Sequence, residues 1–176
     1  MFCNNCGTQL EEGAAFCPNC GGSVGVAPAP QLGLKWAHFL SYFALWLGAL
    51  LNVIVAFTVF TGSIYSAQGI EAEYVYAVFP GLKPVDMIYG VALLVLAVLG
   101  VITAVSIIKY KKNAGTLVCA MYLVSAIVAF IYLVGASSVL GQFAGNSNSV
   151  VSIIVGIVMF FVNKIYFGNR KDIFVN

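Results

Sequence analysis

Between Asn113 and Asn163 the chain runs for 51 residues without one Asp, Glu, Lys, Arg or His. A helix crosses the roughly 30 Å hydrocarbon core of a bilayer in about 20 residues, so a stretch of this length has to leave the core and return. Two further stretches lack Asp, Glu, Lys and Arg: 35 residues from Trp36 to Ile70 and 22 from Met87 to Ile108. Soluble domains carry about 25% charged residues. This chain of 176 carries 8%, with 61% hydrophobic, which excludes an ordinary water-soluble globule.

The long stretch turns at Gly141-Gln142-Phe143-Ala144-Gly145-Asn146-Ser147-Asn148-Ser149, where Gly and Asn accept turn dihedrals and most side chains prefer water. Four spans follow, at 36–61, 87–109, 115–138 and 150–167. The last has only 14 uncharged residues before Lys164, so it reaches across only if Lys164 snorkels and Ile165-Tyr166-Phe167 continue into the interface. Hydrocarbon forces every backbone amide to find an internal partner, and the ten-residue alternation of barrel strands is absent. The expected membrane part is therefore all-α.

Cations near the span ends set the orientation. Lys35, Lys109, Lys111, Lys112, Lys164, Arg170 and Lys171 fall on one side of a four-span arrangement; Lys83 falls alone on the other, in a loop with Glu71, Glu73 and Asp86. The positive-inside rule then puts both termini in the cytoplasm of a cell-membrane protein. The N-terminus lacks a basic leader followed by an apolar run and cleavage site, so no signal peptide is expected. A net charge of +2 gives no strongly basic surface for nucleic acid.

Ahead of the spans, Cys3, Cys6, Cys17 and Cys20 form C-x2-C-x10-C-x2-C, two thiol pairs spaced to surround one zinc ion. The pattern repeats at an offset of 14 residues: Phe2-Cys3-Asn4-Asn5-Cys6-Gly7 returns as Phe16-Cys17-Pro18-Asn19-Cys20-Gly21. Gly7 and Gly21 stand where each knuckle turns sharply, a position suited to a residue without a Cβ. Short strands are expected around Thr8–Leu10 and Ala15–Phe16, with Phe2, Leu10, Phe16 and Val24 as the main apolar side chains. So small a core cannot fold unaided, and one structural Zn2+ supplies what is missing. Redox CxxC pairs or disulfides are disfavoured by the paired repeat and the reducing compartment. Four thiolates leave no open coordination position for catalysis. With Glu11 and Glu12 and no Lys or Arg before Lys35, a zinc-loaded head carries a net charge of about −4, which repels phosphate backbones and favours a protein contact.

Phe2-Cys3-x-x-Cys6-Gly7-x-x-Leu10 followed by Phe16-Cys17-x-x-Cys20-Gly21 resembles the N-terminal zinc-ribbon module of many bacterial proteins. Val78-Phe79-Pro80-Gly81-Leu82-Lys83 and Asn163-Lys164-Ile165-Tyr166-Phe167 make the remainder similar to a group of uncharacterised bacterial four-span membrane proteins carrying that ribbon. The resemblance implies a place in the cell membrane and brings no activity with it.

The resulting organisation is a small β zinc ribbon at 1–24, a flexible linker at 25–34, a four-helix transmembrane domain at 35–168 and a cytoplasmic tail at 169–176. In the outer loop, Tyr74, Val75, Val78, Phe79 and Leu82 recur at helical spacing, giving a short interfacial helix at 70–79 that Pro80-Gly81 ends. Asp86 is expected to cap the second spanning helix. Asn52 is the one strongly polar side chain at mid-depth and calls for an interhelical hydrogen bond. His38 sits at headgroup depth beside Trp36, and Cys119 is read as an apolar filler. Ser125-x-x-x-Ala129 and Ser152-x-x-x-Gly156 suit close helix packing or self-association into a homo-oligomer.

No paired carboxylates, His cluster or Ser/His/Asp set is present, so the leading expectation is a non-enzymatic membrane protein with a docking or adaptor head. The alternative is a small permease or channel with Asn52, Thr58 and Thr103 lining a polar path.

Overall fold

The computed structural model describes every residue except Met1, Asn4, Glu12, Gly13, Ala15, 23–32, Gln68 and Asn146, together with all side chains but those of Ser147 and Asn148. The chain divides into two compact units, Met1–Gly33 and Leu34–Asn176. The expected linker at 25–34 falls mostly outside the described residues, as do Val24 and Ala15.

In the second unit four helices are long and apolar enough to cross a membrane. The helices are α1 (Lys35–Phe60), α2 (Ser63–Ser66), α3 (Ala72–Val78), α4 (Leu82–Ile108), α5 (Ala114–Leu140) and α6 (Ser147–Gly168). The short α3 lies inside the expected interfacial helix. At 22 residues, α6 is about 33 Å long, so including Lys164 within the helix removes the shortfall anticipated for the last span.

Helix α4 begins five residues before the expected start of its span and carries Pro84 in its first turn. Proline is tolerated there because its missing N–H would have had no partner. Gly81 is the residue at the N-cap, so Asp86 does not cap the helix; it lies one turn inside. Helix α1 contains a wider π turn at Leu40–Ala44, and the Trp46 indole donates to the Ser41 carbonyl at 2.8 Å across it. Gly62 (φ 73°) ends α1, and its Cα faces the Ala72 methyl so closely that no Cβ would fit.

The spans pack in chain order, α1 on α4, α4 on α5, and α5 on α6. Helix α4 is central, with 44% of its apolar window buried against 11–17% for the other three. Outward faces remain apolar and exposed, as at Leu50, Phe57, Ile131 and Phe161, which suits acyl chains and not water. Since lipid is as apolar as leucine, close packing has to hold the helices together. Gly156 of α6 meets α5, where a Cβ would stand 3.0 Å from the Ala126 methyl and 3.3 Å from the Tyr122 carbonyl oxygen. The small residue opposite Gly156 is therefore Ala126, while Ser125 is exposed.

One end of the unit is closed by a cluster of Ala37, Leu40, Leu45, Ala104, Ile107, Val118, Phe167 and Phe174. Two polar links reinforce it. The Trp36 indole donates to Asn163 Oδ1 at 3.0 Å, and the Ala37 amide donates to the Tyr166 hydroxyl at 3.3 Å, fastening the start of α1 to α6. The segment after α6 folds back: Asn176 N–H donates to the Tyr110 carbonyl and Lys112 N–H to the Asn176 carbonyl. All seven cations counted on one side from the sequence belong to the segments meeting at this end.

Candidate metal centre

In the first unit the four cysteine sulfurs lie within 4.8 Å of one another, with Cys3 Sγ 3.7 Å from Cys20 Sγ and Cys6 Sγ 3.5 Å from Cys17 Sγ. Tetrahedral zinc with Zn–S bonds of about 2.3 Å needs sulfurs about 3.8 Å apart. The cluster thus fits one structural Zn2+, and its soft donor set suits that ion.

The repeat in the sequence is a repeat in the backbone. Gly7 N–H donates to the Cys3 carbonyl and Gly21 N–H to the Cys17 carbonyl, both at 2.9 Å; Cys3 N–H donates to Thr8 O and Cys17 N–H to Gly22 O, both at 2.8 Å. Gly7 and Gly21 adopt φ of 72° and 67°, the left-handed conformation that turns each knuckle at little cost without a Cβ. Asn5 aims its backbone N–H at Cys3 Sγ and its side-chain amide at Cys20 Sγ, spreading the negative charge that metal binding concentrates there. Hydrogen bonding from Thr8 draws the Cys6 thiol down to about 6, toward the thiolate form that binds metal.

Among the described residues the head contains no strand; Phe2 bridges to Gln9, Phe16 likewise stands at an isolated bridge position, and the strand expected at Ala15–Phe16 falls partly outside them. Its small core is Cys3, Cys17 and Leu10; Phe2 and Phe16, two of its main apolar side chains, are 68% and 67% exposed. Residues 2–24 match the zinc-ribbon domain family. The match covers the head alone. No curated protein and no solved structure matches the chain.

The structure also brings together polar residues that the sequence left scattered. Asp86 is fully buried and accepts from three phenols: Tyr65 at 2.6 Å and Tyr76 at 3.0 Å on Oδ2, and Tyr132 at 3.1 Å on Oδ1. Burial, followed by donation to this carboxylate, pushes Tyr76 up to about 12 and Tyr65 higher still. Tyr132 is itself stacked on Tyr89, centroids 4.0 Å apart. A carboxylate saturated by hydroxyl donors anchors the 62–81 segment to α4 and α5. The only available signal was an acid among tyrosines with no local periodicity connecting them. Asn163, fully buried, was also hidden, since its partner Trp36 is 127 residues away.

The residues proposed for a polar path are placed differently from one another. Thr58 donates to the Val55 carbonyl and Thr103 to the Leu99 carbonyl, each within its own helix. Asn52 is half-buried and makes no hydrogen bond to any described residue, so the interhelical bond expected of it is absent. His38 is exposed near Tyr42. Cys119 lies against α6, its thiol 3.8 Å from the Phe160 carbonyl oxygen.

Proposed function

We propose that the chain is a non-enzymatic, multi-pass membrane protein whose zinc ribbon is a cytoplasmic docking head for another protein. The outward display of Phe2 and Phe16 at equivalent positions of the two knuckles carries this reading. A metal-pinned surface with two exposed aromatics and a net negative charge offers hot-spot side chains to an apolar groove with a basic rim. The same charge disfavours a phosphate backbone. The seven cations at one end of the helical unit support placing that end in the cytoplasm.

Affinity capture from detergent tests the proposal, using the wild-type chain, Cys17→Ser and the double substitution Phe2→Ala/Phe16→Ala. The docking reading expects a protein retained by wild type and lost from both variants, while the double variant keeps its zinc. Identical retained proteins in all three would contradict it. The unpartnered amide of Asn52 favours a second reading, a small permease. Solute flux into liposomes that disappears in Asn52→Leu would support it over docking.

A further inference from the structure

At the end where the cations gather, α5, α6 and the returning C-terminal segment border a half-open cavity of about 860 Å³. Lys112, Lys164 and Lys171 line it together with Phe160, Phe167 and Phe174, and among the described residues no acidic side chain does. A neighbouring cavity shares Lys112 and adds Lys109 and Lys111. The volume falls within the usual range for a specific small-molecule site.

The lining is graded. Lys112 precedes α5 and Lys171 follows α6, which puts both at the helix ends. Lys164 lies one turn further into α6, its Nζ 5.8 Å from the Phe160 ring centre. Phe160 is about 6 Å deeper again, beside Cys119. Room for the pocket arises because Gly115 faces Phe167 where a Cβ would come within 2.7 Å of that side chain. Positive charge at the mouth and aromatic carbon toward the membrane interior match an amphiphile with an anionic head and an apolar tail.

We propose that this cavity seats one anionic phospholipid, its phosphate among Lys112, Lys164 and Lys171 and an acyl chain along Phe160. A free phosphate would use the lysines and leave the aromatic floor without purpose. The site follows from residence in a bilayer and is independent of the docking role proposed for the ribbon.

The test uses the full chain in nanodiscs containing phosphatidylglycerol and phosphatidylcholine, with retained lipid read by native mass spectrometry after transfer to detergent. Wild type should retain phosphatidylglycerol selectively. Replacing Lys112, Lys164 and Lys171 together by Gln should lower that selectivity at least about tenfold, since each lysine near such a headgroup contributes about fivefold. The control Lys35→Gln removes a cation at the same end that lines neither cavity and should retain the selectivity. If the triple variant fails to fold, the single Lys164→Gln at an exposed side chain should still give a several-fold loss. Equal losses in Lys35→Gln and Lys164→Gln, unchanged selectivity in Lys164→Gln, or displacement of the lipid by inorganic phosphate would each overturn the proposal.

Discussion

The Tyr65 hydroxyl donates to the buried carboxylate of Asp86 at 2.6 Å, tying the short helix after the first span to the start of α4. Tyr76 and Tyr132 complete the arrangement from α3 and α5. Three elements therefore share one charged acceptor, and the 62–81 segment, whose two short helices bury no residue fully, is fastened to the bundle by polar contacts.

Tyr65→Phe should loosen that fastening by about 2 kcal/mol, the usual worth of a hydrogen bond to a charged group. Asp86→Ala should do more, because three hydroxyls then lose their acceptor. Limited proteolysis of 62–81 in detergent provides the readout: faster cleavage in both variants, fastest in Asp86→Ala. Unchanged cleavage would remove Asp86 from its structural role.

The same cluster should respond to alkaline pH. Tyr76 titrates at about 12 in the folded protein against about 10 when unfolded, and Tyr65 is shifted further in the same direction. A raised phenol pKa stabilises the fold fully below about pH 10 and loses that contribution as pH climbs toward the folded value. Phenolate absorbance should show a late-titrating fraction among the 9 tyrosines, with cleavage within 62–81 rising in step. Uniform titration of all tyrosines near pH 10 would contradict this.

At the opposite end, Trp36→Phe removes the only indole donor to Asn163 and leaves a fully buried amide oxygen without it. The expected cost is about 1 kcal/mol, visible as a lower thermal midpoint in detergent. Glycine packing gives a sharper contrast. Gly156→Leu forces a side chain into Ala126 and the Tyr122 carbonyl and should cost about 2 kcal/mol, whereas Ser125→Leu on an exposed face should change stability by less than about 0.5 kcal/mol.

Cys17→Ser should abolish stoichiometric zinc binding and unfold the head while leaving helical circular dichroism nearly intact, because the helical unit has its own core. Zinc content by mass spectrometry, compared with wild type, checks it. Full zinc retention would mean that Cys17 is not a ligand.

The spans and the metal cluster were legible because their causes are local. Charge-free runs longer than the bilayer is thick allow little besides helices, and Cys3-x-x-Cys6 with Cys17-x-x-Cys20 encodes its own geometry. What escaped depends on distant partners. Asp86 resembled a helix cap because Pro84 suggested a boundary, yet proline is accepted within a first turn, and the helix begins at Leu82. Asn52 stands at mid-depth but has no hydrogen-bond partner among the described residues, while Asn163, close to the charged end, is the amide that joins two helices. Phe2 and Phe16 are among the few apolar side chains of the head, yet in so small a fold Cys3, Cys17 and Leu10 occupy the interior and the rings are left outside.

The most direct test of the whole account is topology. Fluorescent or enzymatic reporters fused before Phe2 and after Asn176 should both report from the cytoplasm, with a reporter inserted at Gly69 reporting from the opposite side. Termini found on opposite faces would contradict the four-span arrangement.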